Sequence, residues 1–395
     1  MTELTRLGDV VDLLTGFPFR SAQFVDESAG VRLLRGDNIG HGVLRWDGAK
    51  YWHSDSNDTL EKYTLVSGDV IVAMDRPWIS SGLKWAEVRH TDLPCLLVQR
   101  VARLRAKGPL DQSFLPYLMS GKQFSDYVQG VQTGTAVPHI SPKQIADFRF
   151  HCPSGQEQRA VAEVLGVLDG KIAVNKSITE VSRKLAQDHY LNALYQDRVW
   201  ESRPLGDVAT VLMGQSPSGD DCNRSAEGIP LLNGPTEFGN YSPIPAQWTT
   251  APTRLCETGD LLVCVRGSTT GRMNWADAEY VVGRGLAAIR AKSSPVETCL
   301  IYYALLQGMG DLLSRANGSV FPNLSRDVLN SFSIRWLGES VRHRIAMRIS
   351  GLEDGIRARE LESRTLATLR DALLPQLVSG RLRVMDAEKI VEDHV

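Results

Sequence analysis

Side chains that could carry out catalysis are scattered along this chain. Its six cysteines form no C-x-x-C pair and no zinc-type spacing, so we expect buried, reduced thiols and no metal site. The histidines that could act as proton carriers, His139, His151, His189 and His343, have no sequence-adjacent carboxylate or cysteine partners that suggest a site. A lone histidine is usually a structural residue, which favours a chain without an active site.

Sequence motifs for group transfer and hydrolysis are also missing. The chain contains no Walker A segment, no G-x-S-x-G turn and no H-E-x-x-H pair. It has no Asn-Pro-Pro-aromatic or Asp-Pro-Pro-Tyr segment of the kind that amino-methyl transfer uses. We therefore predict no catalytic residue, no metal ligand and no cofactor bound by this chain.

Composition sets further limits on the class of protein. The chain has 395 residues, of which 43% are apolar and 23% charged, as in ordinary globular proteins, and it is long enough for two or three domains. No apolar run approaches the roughly 18 residues of a membrane span, and we expect a cytoplasmic location. The net charge of −2 means that a nucleic-acid binder would need its cations gathered on one face.

One sequence pattern occurs twice, and it organises the whole chain. Leu7-Gly8-Asp9-Val10 recurs 198 positions later as Leu205-Gly206-Asp207-Val208, and Gly16 corresponds to Gly214 at the same shift. The remaining matches are Leu33–Gly36 with Leu231–Gly234, Ser67–Val72 with Thr258–Val263, and Gly134–Ser141 with Gly318–Ser325. Each copy is a globular part with short strands followed by a long helix.

The long helices follow from apolar spacing. Residues 155–201 contain no proline, and about 40 helical residues would span roughly 60 Å. The predicted stripe has Val161, Leu165, Leu168 and Ile172, then a slip that resumes at Ile178, Val181 and Leu185, and in the second copy Ile345, Ile349, Leu352 and Ile356. Asn175 and Arg359 fall at equivalent stripe positions, where polar residues can fix the register of a coiled coil.

The globular parts are predicted to be mixed in structure. A Gly-Asp pair precedes a buried strand at Gly68-Asp69 and again at Gly259-Asp260, which favours a structural turn over a catalytic Asp. Short helices are expected within Phe114–Val128 and Leu300–Ser314. Residues 216–228, rich in Ser, Gly and Asp, should form an exposed loop special to the second copy.

These features together resemble a known family. The duplicated layout, the G-x-T-x-x-P-H-I-S motif of Gly134–Ser141 and the C-terminal segment Leu369–Leu382 are similar to the DNA-specificity subunit of type I restriction-modification systems, over nearly the whole chain. The resemblance implies an α/β (α+β) fold with two similar globular target recognition domains separated by two long antiparallel helices that form a coiled coil. The implied division is residues 1–153 and 202–337 for the domains, 154–201 for the central helical region and 338–395 for the C-terminal one.

The resemblance also implies a function. Each domain would read one half of a bipartite site in double-stranded DNA, with the helices setting the unread gap, since neighbouring major-groove faces lie about 34 Å apart. The helices would dock two methyltransferase (M) subunits, and two restriction/translocase (R) subunits could join. S-adenosylmethionine, ATP and Mg would bind to those partners, leaving this chain non-catalytic.

Base-reading residues are predicted from side-chain chemistry within that resemblance. Arg pairs bidentately with guanine, and Asn or Gln pairs with adenine. The alternatives are a solvated polar turn at 266–272, structural turns at 133–135 and 317–319, and packing roles for the tryptophans. The predicted DNA-binding residues are Arg35, Asn38, Arg76, Trp78, Lys84, Thr133 and Thr135 in the first copy, and Asn233, Arg266, Ser268, Thr270, Arg272, Asn317 and Ser319 in the second.

Two other functions are compatible with parts of the sequence. A stand-alone restriction or modification enzyme is disfavoured because the two repeats leave no room for a catalytic domain. A scaffold that binds protein partners through its paired domains is slightly favoured by the low net charge. Duplex binding that weakens steeply with salt would distinguish a DNA reader from that scaffold.

Overall fold

The chain folds into two compact units. A computed structural model describes residues 4–53, 58–134, 138–197, 199–316 and 322–394. The first unit comprises Met1–Lys171 and Leu366–Val395, and the second comprises Ile172–Thr365. Within the described ranges, no helix combines the length and apolarity that a bilayer crossing requires.

The first unit is built from short strands and mostly short helices. Its helices are α1 (Leu7–Val10), α2 (Leu115–Ser120), α3 (Lys122–Val131), α4 (Pro142–Ala146) and the first part of α5 (Gly155–Asn192). Its strands are β1 (Thr5–Arg6), β2 (Val11–Thr15), β3 (Gly30–Leu34), β4 (Lys50–His53), β5 (Val70–Ala73), β6 (Trp78–Ile79), β7 (Gly82–Leu83), β8 (Trp85–Glu87), β9 (Cys95–Leu97), β10 (Val101–Ala106) and β11 (Arg149–Phe150).

The second unit has a comparable set of elements. Its helices are α6 (Leu205–Val208), α7 (Thr298–Ser314), α8 (Arg326–Ser331) and most of α9 (Glu339–Val378), while α10 (Val384–Glu392) belongs to the first unit. Its strands are β12 (Trp200–Pro204), β13 (Ala209–Met213), β14 (Cys222–Asn223), β15 (Ile229–Leu232), β16 (Gln247–Thr249), β17 (Leu255–Cys256), β18 (Leu261–Cys264), β19 (Met273–Trp275), β20 (Tyr280–Val282), β21 (Leu286–Ala291) and β22 (Ser333–Leu337).

The two units share one sheet topology, which is the structural form of the sequence repeat. The antiparallel sheet β2-β10-β5-β8 recurs as β13-β21-β18-β19, and the pair β1-β11 recurs as β12-β22. The mixed sheet β4-β3-β9 recurs as β16-β15-β20, with β3 parallel to β9 and β15 parallel to β20. The second unit adds β14 and β17 at the edges, so part of the expected exposed loop 216–228 is a strand.

The repeated Gly-Asp pairs form structural turns with buried carboxylates. Asp69 is 1% exposed and pairs with Arg105, whose Nη2 donates to Oδ2 at 2.9 Å. Asp260 is 3% exposed and pairs with Arg290 through two bonds of 2.6 and 2.8 Å. In each unit the second carboxylate oxygen also accepts the backbone N–H three residues earlier, at 2.8 and 2.9 Å. Each carboxylate therefore links its turn to the neighbouring strand.

A repeated glycine allows two backbone segments to approach closely. A Cβ placed on Gly16 would lie 2.2 Å from the carbonyl oxygen of Val98, and one on Gly214 would lie 2.1 Å from that of Gly283. Both obstacles are backbone atoms, so no side-chain rotation can relieve them. Glycine is required at these two positions by space.

The serines that end the G-x-T-x-x-P-H-I-S motif and its second copy are helix caps. Ser141 accepts a hydrogen bond from the N–H of Gln144 at 3.2 Å and starts α4, and Ser325 does the same for Val328 at the start of α8. The apolar residue before each serine is fully buried. This part of the motif therefore has a structural role in both units.

In the first unit, the start of α5 packs against the end of α9. Ser154 and Glu157 cap α5 reciprocally, since each backbone N–H meets the other side chain. The expected stripe is buried at Val161, Leu165 and Leu168. The ion pair between Asp169 Oδ1 and Arg370 Nη1, at 2.8 Å, joins the two segments. The buried residues of α9 here are Leu366, Leu373, Leu374 and Leu377.

In the second unit, the expected slip in the α5 stripe is wrong. Ile178, Val181 and Leu185 are 41%, 67% and 44% exposed. The buried face instead continues the four-three spacing through smaller and polar side chains, which a count of large apolar residues overlooks. The residues on that face are Asn175, Thr179, Ala186 and Tyr190.

Asn175 occupies the helix seam as predicted, whereas Arg359 does not. Asn175 is 2% exposed and its Nδ2 donates to Glu362 Oε2 at 2.9 Å. Further along α5, Arg183 pairs with Glu360 at 3.6 Å, so later residues of α5 meet earlier residues of α9. The two segments are antiparallel in this unit. The side chain of Arg359 is 45% exposed, because it points toward solvent beside Glu362.

A buried glutamate on α9 accepts hydrogen bonds from two tyrosines of the second unit, one at its carboxylate and one at its backbone carbonyl. Glu353 is 7% exposed, and its Oε1 accepts a hydrogen bond from the Tyr303 hydroxyl at 2.7 Å. The hydroxyl of Tyr241 donates to the Glu353 backbone carbonyl at 3.2 Å. Burial raises the pKa of Glu353, and the hydrogen bond from Tyr303 offsets part of that rise.

The cysteines match the expectation of free thiols at all six positions and the expectation of burial at four of them. All six are unpaired, with Cys152 and Cys222 half-buried and the other four buried. Burial raises the pKa of the Cys95 and Cys256 thiols to about 12, so these two remain protonated at neutral pH. They are inert packing groups.

Candidate nucleic-acid interface

A polar cleft in the second unit brings two predicted residues together. The ends of β15 and β16, the segment before and including β14, and the turns after β18 and β20 surround a cavity of about 810 Å³. Asn233 and Arg266, both predicted DNA-binding residues, line it. The other residues that line it are Ser216, Pro217, Gly219, Cys222, Asn223, Arg224, Leu231, Gln247, Arg284 and Gly285.

Three arginines at this cleft have no counter-ion among the residues that the structure describes. Arg224, Arg266 and Arg284 are exposed, and none of their guanidinium groups makes a hydrogen bond or ion pair with any residue that the structure describes. Unpaired guanidinium groups around one cavity favour an anionic ligand, and a planar guanidinium suits phosphate oxygens and guanine edges. The cleft therefore concentrates positive charge that the net charge of −2 conceals.

The floor of the cleft carries a pair of amide side chains. Asn233 Nδ2 donates to Gln247 Oε1 at 2.9 Å. The turn after β20 closes over Asn233, because Gly283 and Gly285 approach so tightly that added Cβ atoms would lie 2.6 Å from Asn233 Oδ1 and 2.3 Å from its carbonyl oxygen. Asn233 is thus held in place on one side, and Gln247 faces the cavity.

The loop 266–272 is divided between exposed and internal roles. Ser268 and Arg266 are exposed, as a contact loop requires. The Thr270 hydroxyl instead donates to the carbonyls of Gly267 and Pro322 at 2.7 and 2.9 Å, so it stabilises the loop. Arg272 is exposed but donates to the carbonyls of Pro235 and Phe238 at 3.3 and 3.4 Å.

In the first unit, the predicted pair Arg35 and Asn38 separates. Asn38 is 5% exposed, and its amide accepts the Arg35 N–H at 3.0 Å and donates to the Arg45 carbonyl at 2.9 Å. It is a buried turn residue, because both ends of its amide are used internally. The side chain of Arg35 is 37% exposed and lies 3.2 Å from Asp37, which leaves it available at the surface.

Lys84 and Trp78 are also drawn into the first unit's structure. Lys84 is 8% exposed, and burial lowers its pKa, with the nearby charge of Arg76 acting in the same direction and that of Asp37 opposing it. A buried ammonium is poorly placed to contact phosphate, so the prediction for Lys84 fails on exposure. Trp78 is half-buried in β6 and donates from Nε1 to Gln132 at 3.1 Å, which fits the packing alternative.

The structure brings together a cluster of charged side chains around His139 for which the sequence predicted no partner. His139 Nδ1 lies 2.6 Å from Asp75 Oδ1, and Arg100 Nε lies 3.5 Å from Asp75 Oδ2. The exposed Arg76 follows Asp75 with φ +44°, a conformation that non-glycine residues rarely adopt. Thr133 is exposed, but its N–H donates to His139 at 2.9 Å. This cluster exposes the guanidinium groups of Arg76 and Arg100, and its contacts to His139 hold the end of the G-x-T-x-x-P-H-I-S motif in place.

Three predicted residues cannot be placed. Thr135, Asn317 and Ser319 lie outside the described residues. Among the residues that are described, no group of three or more His, Cys, Asp and Glu side chains could hold a metal ion.

Sequence reasoning missed several cleft residues, and strand pairing in the structure identifies one of them, Gln247. Gln247, Arg224 and Arg284 belong to segments in which the two copies do not align by simple shifts. The sheet register supplies the missing alignment, because Leu33 faces Lys50 and its counterpart Leu231 faces Gln247. His139 was noticed but its partner, Asp75, is 64 residues away.

Comparison with known proteins gives consistent matches. A family model described as the type I restriction modification DNA specificity domain matches residues 198–353. The chain is 22% identical over 405 residues to the putative type I restriction enzyme MjaX specificity subunit of Methanocaldococcus jannaschii, covering 97% of this chain and 94% of that protein. It is 35% identical over 164 residues to the EcoAI specificity subunit of Escherichia coli, covering 41% of this chain and 27% of that protein.

A solved structure has the same fold. The type I restriction-modification system S subunit from M. genitalium superposes with a TM-score of 0.62 at 16% identity, covering 95% of this chain and 96% of that one. At this identity the likeness concerns the fold, and it extends over both repeated units.

Proposed function

Since the chain belongs to the family of type I restriction-modification specificity subunits, we propose that it reads a bipartite site in double-stranded DNA. In this proposal residues 1–153 and 202–337 are the two target recognition domains. The helical regions 154–201 and 338–395 connect them and bind partner subunits. Each domain recognises one short word, and the complex acts only where both words occur.

The observation that carries this proposal is a set of three arginines, unpaired within the described part of the chain, that surround the second unit's cleft together with the amides of Asn233 and Gln247. Phosphate contacts by Arg and Lys supply most non-specific affinity for duplex DNA, and amides and guanidinium groups read base edges. The cleft offers both kinds of group. Of the predicted residues, those with side chains available for contact are Arg35, Arg76, Thr133, Asn233, Arg266, Ser268 and Arg272.

We infer that catalysis is left to partner subunits. Two methyltransferase subunits would bring S-adenosylmethionine, and two restriction/translocase subunits would bring ATP and Mg. This chain would bind none of these cofactors, in keeping with the lack of catalytic motifs in its sequence. The complex would work in the cytoplasm, on DNA.

Mapping methylated bases across the host genome, with and without the gene for this chain, tests the proposal. Deletion should erase methylation at one bipartite motif of two words separated by a fixed gap. In addition, duplex binding by the chain with its methyltransferase partner should weaken at least tenfold between 50 and 200 mM salt, for roughly three or more phosphate contacts. Unchanged methylation after deletion, or binding insensitive to salt, would contradict the proposed function.

A further inference from the structure

We infer that the amide pair Asn233–Gln247 is a base-reading subsite that selects adenine in the word recognised by the second unit. This inference rests on the proposed function and adds to it the chemistry of one base. It comes from how the two amides are oriented, what surrounds them and what occupies the equivalent positions of the first unit.

The hydrogen bond between the two amides holds Gln247 beside Asn233. Asn233 Nδ2 donates to Gln247 Oε1 at 2.9 Å, so one end of the Gln247 amide lies against Asn233 and the other end lies away from it. Oε1 keeps one lone pair, and Nε2 keeps both hydrogens, since no described residue accepts from it. Gln247 therefore presents one acceptor and one donor side by side to the cavity.

That pattern complements one base in the major groove. Adenine offers the N6 amino group as donor and N7 as acceptor, which match Oε1 and Nε2 of Gln247. Guanine offers two acceptors, O6 and N7, so O6 would face the oxygen of Gln247 without a proton between them. Asn233 acts as the positioning residue, because the glycine-rich turn at 283–285 restricts its movement.

The three arginines suit the sugar-phosphate backbone around this base. They line the same cavity as the amide pair and carry no internal ion pair within the described part of the chain. Contacts to phosphate position a protein on DNA without reading sequence. The amides of the cleft would thus contact the base, and its three arginines would contact the phosphates.

The first unit has a different pair at the equivalent positions. Leu33 and Leu231 correspond in the repeat, and they face Lys50 and Gln247 across their strand pairs. Two residues after those leucines come Arg35 and Asn233. The first unit therefore carries two cationic side chains, which can only donate hydrogen bonds, where the second unit carries two amides, which both donate and accept. The same scaffold thus selects a different base in each unit.

The test uses the full chain with its partner subunits. In the Gln247→Ala variant, one position of the half-site read by the second unit should accept any base pair, where the wild type requires A·T. The half-site read by the first unit should stay unchanged. In duplex competition, replacing that A·T by G·C should weaken the wild-type complex by roughly 5- to 150-fold and the variant by about twofold or less. The unchanged word in the same polypeptide reports that the variant is folded and assembled.

Arg224→Ala serves as the matched control in the same cleft. It should weaken binding to all duplexes alike and reduce the salt dependence, because a phosphate contact is lost. The inference would be overturned if Arg224→Ala, and not Gln247→Ala, removed the requirement for one base pair in the recognised sequence. It would also be overturned if the requirement that Gln247→Ala removes were for a G·C pair. If the wild-type complex methylates no bipartite motif, the proposed function itself fails; if it does and Gln247→Ala leaves both words intact, only the inference fails.

Discussion

The buried carboxylates of the repeated Gly-Asp turns lead to a quantitative prediction. Asp69→Ala removes both acceptors of Arg105 and the acceptor of a backbone N–H at 2.8 Å. Because the Arg105 side chain is 36% exposed and can be partly rehydrated, we expect a loss near the lower end of the range for a broken buried pair, about 3 kcal/mol. Asp260→Ala should cost less, since Arg290 keeps Glu257 as a partner.

Hydrogen–deuterium exchange measures this loss in each unit separately. A chain with two compact units has no single free energy of unfolding, so local opening free energies are the appropriate quantity. Asp69→Ala should accelerate exchange in β5 and leave β18 unchanged, and Asp260→Ala should do the reverse. Asp126→Ala, which removes an exposed pair with Lys122, should change the opening free energy by less than about 1 kcal/mol. An effect of Asp69→Ala no larger than this control would refute the reasoning.

Two further substitutions test the packing of the second unit. Gly214→Ala should lower the opening free energy of the second unit, measured by hydrogen–deuterium exchange, by about 1–3 kcal/mol, because the new methyl group meets a backbone oxygen at 2.1 Å. Gly219→Ala, with open space around it, should leave that free energy unchanged. Glu353→Gln should raise the melting temperature at neutral pH: burial raises the pKa of Glu353 in the fold, so its ionisation destabilises the native state as the pH rises. That difference should narrow as the pH falls to about 4, near the pKa of an unfolded Glu, and a constant difference from pH 4 to 8 would count against it.

Sequence analysis predicted the features that depend on local pattern. The repeat predicted one topology used twice, and the four-three spacing predicted α5 and α9, since such periodicity reflects a buried helix face. It misjudged the continuation at Ile178, Val181 and Leu185, because the buried face there uses Thr179 and Ala186. Polar and small residues carry no apolar signal, so their burial becomes visible only when the partner helix is known.

The candidate site was less predictable because it depends on long-range pairing. Asn233 and Arg266 were identified from residue type and position in the repeat, and both line the cleft. Gln247 was not, since its role depends on a bond to a residue 14 positions away across a strand pair. Asn38 shows the opposite error: its type suits base reading, but both ends of its amide complete a turn.

Comparison of the two units separates residues that build the scaffold from residues that distinguish one copy from the other. The buried ion pair, the close-approach glycine and the capping serine keep the same chemistry in both units, as Asp69 and Asp260 do. The cleft positions differ, from cations at Arg35 and Lys50 to amides at Asn233 and Gln247. Because the cleft side chains lie on strand ends and turns outside the hydrophobic core, changing them leaves core packing intact. One topology can therefore present two different recognition surfaces, which is what a bipartite site of two unlike words requires.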